Sequence, residues 1–106
     1  MRTEWLLRSA QIKLNYGEMI ELGAAINASM IYLYETNTVD YFHEIQYYIL
    51  LQVQVKLSKL IPKTWIKDNA TGTLKLTHTE MRVLNQTLLG DSLTIMNFKL
   101  TIGSKI

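Results

Sequence analysis

Apolar residues along this chain change their spacing in an ordered way. Ile12 and Leu14, and again Leu74 and Leu76, are separated by a single lysine, which is the period of two of a strand with one buried face. Lys13 and Lys75 then face water. Each triplet is followed at once by a good helix N-cap, Asn15 or Thr77, with Glu18 or Glu80 three positions later. That spacing lets cap and glutamate satisfy each other's orphan backbone N–H groups. Both segments therefore read as short strand, cap and helix, and two such strands pair as a small two-stranded sheet that needs helices against it.

Beyond the first cap, Met19, Leu22, Ile26, Met30 and Leu33 recur at spacings of three and four, which predicts a helix to about Glu35. Gly17, Ala24 and Ala28 on its flank suit the close approach of another helix. The stretch "ETNTVD" at 35–40 reads as a turn, with Thr38 as the next cap. Phe42, Ile45, Ile49, Val53, Leu57 and Leu60 then predict a long helix over 39–61, ended by Pro62. "LQVQVKL" at 51–57 also alternates like a strand. The helix is preferred because no Gly, Asn or Pro punctuates the span.

Residues 63–73, "KTWIKDNATGT", carry the polar and glycine residues of a connection into the second strand. The helix that starts at His78 runs to about Leu89, with Gly90 ending it. In the tail, Met96, Phe98, Leu100 and Ile102 alternate like a strand, whereas Ile95, Phe98, Ile102 and Ile106 fit a helix capped by Asp91 or Ser92. Helix is preferred here, and the strand alternative would extend the sheet.

Residues 12–26 laid over 74–88 match at Lys13/Lys75, Leu14/Leu76, Glu18/Glu80, Met19/Met81 and Leu22/Leu84, five identities in fifteen. The strand-cap-helix units near 12–35 and 74–89 are thus candidates for an internal repeat. The expected fold is mainly α with a minor two-stranded β element, an α+β order of β-α-α-β-α followed by helix or strand. A long helical hairpin forms its core, in one domain over residues 1–106.

Composition narrows the function classes. At 106 residues and 48% apolar, the chain is long and apolar enough for one packed core. It has no cysteine, which removes disulfide scaffolds, thiolate chemistry and Cys-based zinc sites. Glu4, Arg8 and Gln11 interrupt the N-terminal apolar residues, so no signal peptide is read there and a cytoplasmic location is expected. No apolar run reaches the roughly twenty residues of a membrane span. The glycosylation sequons at Asn27, Asn69 and Asn85 are set aside for want of an export signal.

Candidate chemistry is sparse. Glu18 and Glu80 form a pseudo-equivalent carboxylate pair, but capping already accounts for both. His78, at the first helical position, is expected to be exposed. Asp40, His43, Glu44 and Tyr47 share a helix face, yet a carboxylate-bridged metal bundle needs a second such pair. No catalytic residue, metal or cofactor is expected, and the protein is not read as an enzyme.

Two partner surfaces are expected instead. Tyr32, Tyr34, Tyr41, Tyr47 and Tyr48 flank the hairpin turn, and tyrosines favour interface hot spots. They point to a small interaction or assembly protein that forms a homo-oligomer, or takes a protein partner, through its hairpin. Charge supplies the alternative. Residues 1–50 hold three Lys or Arg against six Asp or Glu, and residues 51–106 hold eight against three. Lys56, Lys59, Lys63 and Lys67, with Trp65 among them, would suit a small nucleic-acid-binding regulator, the lysines neutralising phosphates and Trp65 stacking on a base. The competing reading is that these lysines favour a helix C-terminus and that Trp65 is a lid on the core.

Overall fold

The computed structural model describes residues 9–35, 41–65 and 70–106. Their elements run β1 (Ser9–Asn15), α1 (Tyr16–Glu35), α2 (Tyr41–Trp65), β2 (Thr71–Thr77), α3 (His78–Thr87) and α4 (Leu93–Gly103). The order is thus β-α-α-β-α-α, and the tail is helical.

β1 and β2 pair antiparallel, with Ile12 opposite Leu74 and the ends closed by Ser9 opposite Thr77 and Asn15 opposite Thr71. Their burial patterns are identical: Ile12, Leu14, Leu74 and Leu76 face the helices and the intervening residues face out. That alternation fixes the register, since a slip by one residue would drive Lys13 or Lys75 into the core. Both helices after the strands start as the spacing requires. Asn15 N–H donates to Glu18 at 2.9 Å and Glu18 N–H to Asn15 at 2.8 Å, and Thr77 and Glu80 repeat the exchange at 2.8 and 3.2 Å.

α1 buries Met19, Leu22, Ile26, Met30 and Leu33, the stripe its spacing predicts. Gly17, Ala24 and Ala28 are exposed, so close approach of α2 does not use them. α2 runs antiparallel to α1, and the Gln54 side-chain amide donates to the Gly23 carbonyl at 3.1 Å, each about equally far from the turn. Thr38 lies outside the described residues.

Two expectations for α2 need correction. First, its inward column is Gln46, Leu50, Val53 and Leu57, with Ile49 and Leu60 at the margin and Ile45 exposed. Residues 45 and 47–51 are apolar or aromatic on every side of the helix, so spacing alone does not choose the face. The column that seats Leu50, Val53 and Leu57 together wins, and it carries Gln46 inward. Second, the helix passes through Pro62 to Trp65 rather than stopping before the proline. Pro62 stands in the last turn, where the carbonyl deprived of its N–H belongs to exposed Ser58. "LQVQVKL" is helical throughout, with Val53 buried and Val55 exposed.

α3 buries Met81, Val83 and Leu84 and ends at Thr87, slightly before the predicted end. Ser29 ties this end to α1: its hydroxyl donates to the Ala25 carbonyl and accepts from Leu89 N–H at 2.8 Å. Gly90 turns the chain with φ of 139°, and Ser92, one of the two expected caps, accepts from Ile95 N–H to open α4. α4 buries Ile95, Phe98 and Ile102, while Ile106 is exposed rather than part of that stripe.

The helices cross between the halves. α2 packs on β2 and α3 as well as α1, and α4 packs on α1 as well as α3. One core results, roofed on one side by the inner face of the ribbon. Each fully buried aliphatic side chain in it contributes roughly 1.5–3 kcal/mol.

Candidate nucleic-acid interface

The ribbon's other face is exposed. Ser9, Gln11, Lys13 and Asn15 on β1, with Thr71, Thr73, Lys75 and Thr77 on β2, are all exposed, and neither strand contains an acidic residue. Asn15 and Thr77 are occupied as helix caps. The centre of the face is two cross-strand pairs, Gln11 with Lys75 and Lys13 with Thr73, on either side of the buried Ile12–Leu74 pair. A strand of seven residues is about 20 Å long and its neighbour lies about 5 Å away. Such a ribbon is narrow enough to enter the major groove of B-form DNA, about 12 Å across.

The ribbon is tied to the helices through β2. Lys56, from α2, donates to the Glu80 carboxylate at 2.5 Å and to the Lys75 carbonyl at 3.0 Å. Glu80 is buried and also caps α3, so one lysine joins α2, β2 and α3. Glu18, at the equivalent place beside β1, stays near the surface. The two glutamates are thus occupied structurally. His78 is buried rather than exposed, at the start of a helix that packs against α2.

The residues singled out from the sequence fare unevenly. Tyr32, Tyr34, Tyr47 and Tyr48 are exposed on α1 and α2, and the side chain of Tyr41 lies outside the described residues. Of the basic patch, Lys59 is exposed, while Lys56 is committed to Glu80 and the strand. The side chains of Lys63 and Trp65, together with Lys67, lie outside the described residues, as does Asp40 of the Asp40, His43, Glu44 and Tyr47 group. Among the described residues, no group of three or more His, Asp or Glu could hold a metal ion, and no helix is long and apolar enough to cross a membrane.

No protein-family model matches the chain, and no curated protein or solved structure matches it significantly. The site therefore rests on its own geometry. The sequence pattern marks only Lys13 and Lys75 as outward strand positions; Thr73 falls in the expected connection 63–73 and Gln11 before the expected strand, whereas the structure carries β1 back to Ser9 and β2 back to Thr71. What singles the four out is adjacency, since pairing brings together lysines that lie sixty-two positions apart in the chain.

A second kind of surface lies on the helices. Leu93, Met96 and Leu100 of α4 line up at spacings of three and four and are 73%, 52% and 72% exposed. Tyr48, Leu51 and Val55 form a similar stripe on α2 along a shallow apolar groove that ends at Thr77 and Glu80.

Proposed function

We propose that this protein is a non-enzymatic DNA-binding regulator that seats its two-stranded ribbon in the major groove. The observation that carries this reading is the outer face of the ribbon, where Gln11, Lys13, Thr73 and Lys75 stand exposed; the strands contribute no carboxylate, and Glu18, which lines a pocket with Gln11 and Lys13, is engaged in its cap. Lysine pairs with the O6 and N7 acceptors of guanine, glutamine with the N6 and N7 of adenine, and threonine with several base edges or the thymine methyl group. The capped helices and Lys56 keep the strand backbone in place, so the ordering cost of binding falls on the side chains rather than the ribbon. The nucleic-acid reading drawn from sequence thus keeps its ligand class but moves from the Lys56, Lys59, Lys63, Lys67 and Trp65 segment to the ribbon.

Fluorescence anisotropy of a labelled duplex at low salt tests the proposal. Wild-type protein binds, affinity falls linearly on a log–log salt plot, and Lys13→Ala or Lys75→Ala weakens binding by about 1–3 kcal/mol. Double-stranded RNA binds more weakly, because its major groove is deep and narrow. Absence of duplex binding, or lysine variants that bind as well as wild type, would sink the reading.

A second reading concerns assembly, and the apolar stripes on α2 and α4 support it. A homo-oligomer forms when a second copy covers Leu93, Met96 and Leu100, with the exposed tyrosines of the hairpin contributing at its edges. Self-association and DNA binding use different faces and are compatible.

A further inference from the structure

We infer that a single copy of this chain reads an imperfect inverted repeat in duplex DNA, with Lys13 and Lys75 on equivalent positions of opposite DNA strands and Gln11 and Thr73 making the two halves unequal. The inference rests on the proposed DNA reading and adds the form of the site.

Its basis is a coincidence between sequence and pairing. The internal similarity aligns Ile12 with Leu74, and the ribbon places those same two residues directly opposite each other. An antiparallel pair in which a residue faces its own counterpart has a local two-fold axis through that point. Around this axis Lys13 opposite Thr73 maps onto Lys75 opposite Gln11. Both strands then run into a reciprocally capped helix, at Asn15–Glu18 and Thr77–Glu80. The order β-α-α also repeats within the chain, and α2 meets α3 as α4 meets α1, although α2 packs on β2 without an equal contact between α4 and β1.

B-form DNA has two-fold axes of its own, perpendicular to the duplex and relating its antiparallel strands. When the two axes align, lysines at matching places meet matching bases, one on each DNA strand. Guanine is the base a lysine selects. Gln11 and Thr73 occupy matching places with different chemistry, so the base pairs they meet need not match. Paired half-sites are usually read by a symmetric dimer, whereas here one chain carries both readers.

The experiment is selection of bound sequences from a random-duplex pool, with wild type and Gln11→Thr run in parallel and the complex weighed for stoichiometry. Gln11→Thr places the same Thr and Lys set on both sides of the axis. The position is exposed in a strand, where threonine is favoured, and a thermal melt confirms that the variant folds. Wild type enriches a short site with guanines related by inverted symmetry and unequal flanking pairs, and in the Leu93→Gln, Leu100→Gln background, where the α4 contact between copies is removed, one chain occupies each duplex. The variant enriches a symmetric site and loses about tenfold in preference for the wild-type flank. Enrichment of a site without the inverted pair, asymmetry unchanged in the variant, or two chains per site in that background would overturn the inference while leaving DNA binding in place. Failure of the pool to bind at all would remove the DNA reading itself.

Discussion

Glu18 and Glu80 show how one sequence rule reaches different energetic ends. Both cap a helix, but Glu80 is buried and also receives Lys56, whereas Glu18 stands near the surface. Glu80→Ala is expected to destabilise the protein by about 2 kcal/mol and Glu18→Ala by about 1 kcal/mol, values typical of a buried charge-assisted bond and of a simple cap. The Lys56 side chain is 38% exposed, so the ion pair adds only a part of that difference. Urea unfolding measures both, and equal losses would mean that the tie across α2, β2 and α3 contributes nothing. Gly90 has a positive φ of 139° and its missing Cβ would lie 3.2 Å from the Ile95 side chain. Gly90→Ala therefore lowers stability by about 1 kcal/mol or more in the same assay; an unchanged midpoint would contradict this.

At the scale of elements, both caps and the strands before them were legible in sequence because capping boxes and period-two alternation are local rules. The inward face of α2 was not. Ile45, Tyr47, Tyr48, Ile49, Leu50 and Leu51 make its first half apolar all round, and only packing against α1, β2 and α3 selects Leu50 over Ile45. The burial of His78 escaped for the same reason, since it comes from tertiary packing that local spacing does not encode. α4 was read correctly as a helix from the Ile95, Phe98 and Ile102 column, yet the same residues say nothing about Leu93, Met96 and Leu100 until the core face is known. Leu93→Gln with Leu100→Gln is expected to shift the protein to monomer in sedimentation velocity at micromolar concentration while its circular dichroism stays the same. A wild type that is already monomeric would remove the assembly reading.

For the whole molecule, the central relation is between two similar strand-cap-helix segments and the antiparallel ribbon their strands form. The ribbon packs one face on the core and exposes the other, the face proposed to meet DNA. The sequence could announce the strands, but it could not put Gln11 beside Lys75, because that adjacency comes from long-range pairing. The most direct measurement of the claim that this face meets DNA is a titration of isotope-labelled protein with a short duplex, followed by amide chemical shifts. The account predicts that the largest changes fall on Gln11, Lys13, Thr73 and Lys75, with α4 nearly still. Changes centred instead on Lys59 or on the exposed stripe of α4, or no change at low salt, would contradict it.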